Sequence, residues 1–254
     1  MICSRCHHFA AAPGGTLCTL CAGAPEPPAP PFAGAPVAWL RSPVGLGRAA
    51  AAVLGLVIAT DVFAVYADFL QFDVSGDLVD GTYGVAVSRR ADHADALCNA
   101  SGSAQASALL TCVVVYLCWF YRARVNAEVF SPFGHSRKRG WAIGGWFTPV
   151  ANLWLPRRVM LDIWDASSPW GAPRAHALVN AWWTVWLASF LADRAAFSGY
   201  RRAEGAQALH DAARLMLFSD AMDIAAAVLA IAVVLRLTGM QHRKALAGPV
   251  PAAV

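Results

Sequence analysis

Residues 49–70 read AAAAVLGLVIATDVFAVYADFL, and the fold turns on how they are read. As an α-helix the stretch rises about 33 Å, against a bilayer hydrocarbon core about 30 Å thick. Asp61 and Asp68 are its only charges, and its apolar residues cover most of the helix circumference rather than one stripe. A helix of that kind faces lipid or a protein core. Three further segments share the pattern: 104–121, 175–192 and 215–238. The second and third segments are 18 residues each, at the short end of a membrane span. The whole composition agrees, with 57% hydrophobic residues, 14% charged and a mean hydropathy of +0.46. Soluble domains carry nearly twice that share of charge. This excludes a disordered chain and argues against an ordinary soluble enzyme. The net charge of +4 is too small and too dispersed to attract nucleic acid by itself. The expected fold class is all-α, a polytopic membrane helical bundle of about four transmembrane helices.

A fifth apolar stretch, 141–156, reads WAIGGWFTPVANLWLP. Gly144, Gly145, Pro149 and Pro156 interrupt it, and it is too short to span. A re-entrant or interfacial segment is expected, and Trp141, Trp146 and Trp154 suit the headgroup level. Residues 157–166 follow with Val159, Met160, Ile163 and Trp164 set against Arg157, Arg158, Asp162 and Asp165. That is an amphipathic helix, lying either on the membrane surface or beneath the bundle. If both termini are cytoplasmic, fourteen Lys and Arg fall inside and six outside, so the positive-inside rule selects that orientation. The transmembrane domain is placed at 45–240 and a cytoplasmic tail at 241–254.

The N-terminus differs in kind. Cys3-x-x-Cys6 and Cys18-x-x-Cys21 are two CxxC pairs separated by 11 residues. Two such pairs supply four thiolates, the set that closes a tetrahedral zinc site. Residues 1–22 are therefore expected to form a zinc-ribbon-like module holding structural zinc, with the metal supplying most of the folding energy. A reducing cytoplasm disfavours disulfides, and no βαβ context suggests a redox dithiol. A continuous apolar region is missing from residues 1–22, so no cleavable signal is expected. Residues 23–44 are rich in proline, which favours an extended spacer.

Within the apolar segments, Asp61, Asp220 and Asp223 stand out. Asp220 and Asp223 are three apart and share a helix face. Carboxylates at such depth are costly, and a functional site such as a proton or cation path is one reading of them. The bland alternative is hydrogen bonding across helices to Thr60, Ser219, Asn180 or indole N–H groups. Asp68 lies near the end of its segment, where water is in reach. Cys112 and Cys118 read as small apolar residues.

The most specific text follows the second segment. It runs WFYRARVNA over 119–127, then GWAIGGWFTPVANLWLP over 140–156, with Trp164 beyond. The residues that fix it are Trp119, Arg122, Arg124, Asn126, Trp141, Gly145, Trp146, Pro149, Asn152, Pro156 and Trp164. It resembles the bacterial membrane proteins grouped as domain-of-unknown-function family 4328, over roughly residues 45–240. Arg157 departs from the uncharged residue expected after Pro156. The resemblance implies a bacterial plasma-membrane location and transfers no catalytic residue. Arg122, Arg124 and Asn126 are expected to satisfy backbone carbonyls freed by Pro149 and Pro156. A lipid or small-ligand site lined by Trp146, Trp154 and Arg124 is the functional alternative for that region.

These readings favour a non-enzymatic interaction or sensory scaffold, partnered by the lipid bilayer and by a protein bound to the cysteine module. The alternative is a small transporter or proton-coupled channel using the intramembrane carboxylates. No clustered nucleophile and base support an enzyme.

Overall fold

The computed structural model describes residues 2–4, 7–22, 40–169 and 175–248, and the chain divides into two compact units, Met1–Val37 and Ala38–Val254. The proline-rich stretch therefore lies almost wholly outside the described residues.

The first unit is a small knuckle. Cys3 N–H donates to the Phe9 carbonyl at 2.8 Å and His7 N–H returns to the Cys3 carbonyl at 3.1 Å. Ser4 is tied to the Thr16 carbonyl through both its amide and its hydroxyl. A helical turn, α1 (Thr19–Ala22), carries Cys21.

The second unit is all helix. Its elements are α2 (Val44–Val79), α3 (Val85–Phe130), α4 (Trp141–Phe147), a 3-10 turn (Ala151–Leu153), α5 (Leu155–Ser167), α6 (Ala177–Arg202) and α7 (Ala206–Ala247). Helices α2, α3 and α7 are long and apolar enough to cross a membrane. Helix α6 has 26 residues, about 39 Å of rise, yet is not among them. Asn180, Thr184, Ser189 and its indole rings dilute its hydropathy, although its length and its packing against α7 match the others.

Residues 71–103 and 193–214, expected as loops between spans, are helical instead. The chain reverses only at 80–84 and 203–205, where Gly84 (φ 145°) and Gly205 (φ 88°) take backbone conformations that side chains disfavour. Four long helices thus continue well past the thickness of a bilayer, and their polar ends pair with each other. Arg90 binds Asp77 at 2.5 Å and also Asp73, while His210 stacks on Phe72 with centroids 4.1 Å apart.

The long helices pack in the order α3–α2–α7–α6. Small residues let α2 and α7 approach closely: Ala50, Ala64 and Ala67 are buried on one, Ala226, Ala227 and Ala230 on the other. The tightest point is Gly47, where a Cβ would overlap the Thr238 side chain. Thr238 in turn accepts a hydrogen bond from the Trp119 indole at 3.0 Å.

Among the described residues, α3 and α6 share no extended packing, and α4 and α5 fill the gap between them at the end where α2 begins. Gly145 allows this hairpin to close, since a Cβ there would sit 3.4 Å from Leu155 Cβ. Val150, in its turn, adopts a left-handed φ of 65°. Trp146 penetrates the bundle edge-on to Tyr116, Phe120, Trp183 and Trp186, with centroids 5.6–6.2 Å away. Of the two placements open for 157–166, α5 takes the packed one, because Val159, Met160, Ile163 and Trp164 are all buried.

Candidate functional site

Two of the three carboxylates singled out within the apolar segments, Asp61 and Asp220, meet at one amide. Gln105 of α3 donates from Nε2 to Asp61 Oδ1 and to Asp220 Oδ1, at 3.1 Å each. Asp68 lies against Asp220 and accepts from the Cys98 thiol at 3.7 Å. Asp193 of α6 accepts from the Ser219 hydroxyl and lies against Asp223, which also interacts with Ser189. Five carboxylates from α2, α6 and α7 thus lie between the middle of the 49–70 stretch and the start of the helical extensions. Asp61 is only 4% exposed, and its Oδ2 has no hydrogen-bond partner.

Below this cluster opens a cavity of about 470 Å³. Asp61, Asp193, Asp223, Gln105 and Ser189 line one end. Tyr116, Trp146, Trp182 and Trp186 line the other. No Lys or Arg is among the described residues that line it. Tyr116 Oη and Trp146 Nε1 are also buried without partners. The cavity is flanked by α3 and α6, and opens between them where Leu109 and Phe190 are 56% and 36% exposed.

The expected carboxylate partners are not the ones used. Thr60 bonds its own helix at Val57, Ser219 serves Asp193, and Asn180 accepts from Arg157 Nη2 at 2.7 Å. Gln105 and Asp193 are not singled out by the sequence, and Asp68 reads there as a group within reach of water. Their signal was weak, because each sits at the margin of an apolar segment, where polar residues are ordinary.

The motif residues build a separate polar network around the start of α2 and the ends of α3, α5 and α7. Arg124, almost wholly buried, pairs with Glu128 at 2.7 Å and donates to the Arg137 carbonyl at 2.7 Å. Asn126 reads both sides of the Arg41 peptide, donating to its carbonyl at 2.8 Å and accepting its N–H at 3.2 Å. These are not the carbonyls freed by Pro149 and Pro156, so that expectation is corrected. The reason is reach: both side chains point into the α2 and 131–140 side of α3, away from the hairpin turn. The Leu153 carbonyl is instead capped by the Trp183 indole at 3.1 Å. Gln241 completes the network by donating to the Ala123 carbonyl and to Ser167 Oγ. Arg122 is half-buried, Trp141 opens α4, Pro149 and Asn152 lie in the turn region, and Pro156 and Trp164 are buried in α5. The ligand site imagined between Trp146, Trp154 and Arg124 does not form: Trp146 lines the cavity, Trp154 is exposed and Arg124 is held by Glu128.

In the first unit, the ligand atoms of Cys3, Cys18 and Cys21 lie within 4.8 Å of one another. Cys3 and Cys18 are buried and His7 and His8 are exposed. Three converging thiols are a soft donor set that could hold a metal ion. Cys6, the expected fourth ligand, lies outside the described residues.

A family described as Domain of unknown function (DUF4328) matches residues 83–239. No curated protein and no solved structure matches the chain.

Proposed function

The chain belongs to the DUF4328 family, and on that premise we propose that it is an integral membrane protein that binds and moves a cation, a proton or a larger one, at its carboxylate cluster. In this reading α6 is a fourth span and both termini face the cytoplasm of a bacterial cell. Support for the orientation comes from the excess of Lys and Arg at the end of the bundle that carries the 131–140 loop.

The observation that carries the reading is the bridge from Gln105 to Asp61 and Asp220 beside a cavity lined by no basic residue among those described. Withdrawing a carboxylate from water costs several kcal/mol, in rough terms, and Asp61 and Asp220 are both buried, so structure alone rarely retains such a pair beside three further half-buried carboxylates. Charge compensation here has to come from a bound proton or cation. The test is flux in vesicles containing the purified full chain and a pH-sensitive dye. Asp61→Asn and Asp223→Asn should each abolish proton-coupled flux while leaving the helical circular dichroism intact. Flux equal to the parent protein in both variants overturns the reading.

A second role rests on a different observation. The Cys3, Cys18 and Cys21 cluster supports a zinc-holding module in the first unit, with Cys6 as fourth ligand. A coordinatively closed site of that kind recruits rather than catalyses, so the module would bind a protein partner.

A further inference from the structure

We infer that the cavity takes an amphipathic organic amine, its protonated nitrogen at the Asp61–Asp223 end and its apolar body against the indoles of Trp146, Trp182 and Trp186. This deepens the proposed cation-handling role and rests on it.

The acid end asks for a donor with positive charge. Asp61, Asp193 and Asp223 line this end of the cavity; Asp61 Oδ1 is already taken by Gln105, and its Oδ2 is buried without a hydrogen-bond partner. An ammonium N–H supplies both the charge and the bond. A quaternary ammonium supplies charge without a donor and leaves Oδ2 unpaired. A bare proton or metal ion satisfies the carboxylates and leaves the aromatic end empty. Yet the cavity is about 470 Å³, in the range of roughly 300–1,000 Å³ that holds drug-sized molecules.

The far end asks for an apolar body. Gln105 and Tyr116 both line the cavity, and eleven residues of helix separate them by about 16 Å. Indole faces along that length favour apolar groups and tolerate a nearby cation. Zwitterionic phospholipids and amino acids fit poorly, because their phosphate or carboxylate would meet three lining carboxylates, Asp61, Asp193 and Asp223, and no basic lining residue among those described. The opening between α3 and α6 is rimmed by exposed Leu109 and Phe190, so an amine dissolved in the bilayer reaches the site sideways.

The test uses the full chain in phosphatidylcholine nanodiscs, with empty nanodiscs subtracted for partitioning. Titration with 4-phenylbutylamine, read by tryptophan fluorescence, should saturate at one molecule per chain. The alcohol, carboxylate and trimethylammonium analogues should bind at least about tenfold more weakly, because each lacks the charge, the donor or both. Asp61→Asn should weaken amine binding by a similar factor. Leu109→Trp, at the exposed rim, should block it while leaving every carboxylate in place, which covers the case of a misfolded acid variant. Equal affinity for amine and alcohol overturns the inference, as does parent-like binding by both variants. If amine binding is absent while proton flux still depends on Asp61, the amine falls and the cation role stands. If Asp61→Asn changes neither, both fall.

Discussion

At the scale of single residues, one histidine ties the polar network to pH. His135 sits half-buried in the 131–140 loop. Its pKa is held below the usual histidine value, first by desolvation and then by the charge of Arg124. The folded state therefore binds that proton less readily than the unfolded chain does. The loop's attachment is complete above the ordinary histidine pKa near 6.5 and weakens as pH falls below it. Protection factors of residues 131–140, hydrogen exchange corrected for its intrinsic pH dependence, should fall between pH 7.5 and 5.5, and His135→Gln should flatten that dependence. The carboxylates show how far residues are legible in a sequence. Asp61, Asp220 and Asp223 were visible because a charge inside an apolar run is rare. Gln105, Asp193 and Asp68 were not, because each lies at a segment margin. Which amide meets which acid depends on the relative height of packed helices, and periodicity within one helix carries no such information.

At the scale of elements, the α2–α7 contact has a single tightest point. Gly47 faces Thr238, whose hydroxyl accepts from Trp119, so three helices meet there. Gly47→Ala should destabilise the bundle by about 1–3 kcal/mol, the usual cost of overpacking. The measurement is unfolding in mixed micelles. Adding Thr238→Ala should recover part of that loss by removing the group in the way, whereas purely additive losses would exclude the overlap. Element types were legible from apolar length alone. Element ends were not, because the polar helical extensions look like loops when hydropathy is the guide. Salt bridges such as Arg90 with Asp73 and Asp77 support helix where composition suggests none. The break at 141–156 was readable from its glycines and prolines, and the depth reached by Trp146 followed only from packing.

At the scale of the whole molecule, the two compact units differ in what they can bury. The second unit buries an extensive apolar core, whereas the first is too small for one. Chelation should therefore release one metal ion per chain and unfold the first unit. The helical circular dichroism of the second should stay unchanged. Elemental analysis of the purified full chain and of Cys18→Ser, prepared under reducing conditions, checks this. Equal metal content in the two overturns the metal-holding role. The membrane class of the chain was plain from its low charge. The proposed handling of a cation is only hinted at in the sequence, because it depends on four helices converging.

The two turns, 80–84 and 203–205, have a practical consequence for anyone mapping this protein in cells. Each offers only a handful of residues, pinned between rigid helices, whereas a protease needs an extended segment to enter its cleft. Enzymes added on that side of the membrane will find almost nothing to cut, and epitope tags placed there must bring their own slack. On the proposed four-span topology, nicking among the described residues should fall at the other face, within 131–140, and a protease-shaving experiment thus reports which side is which without any genetic fusion.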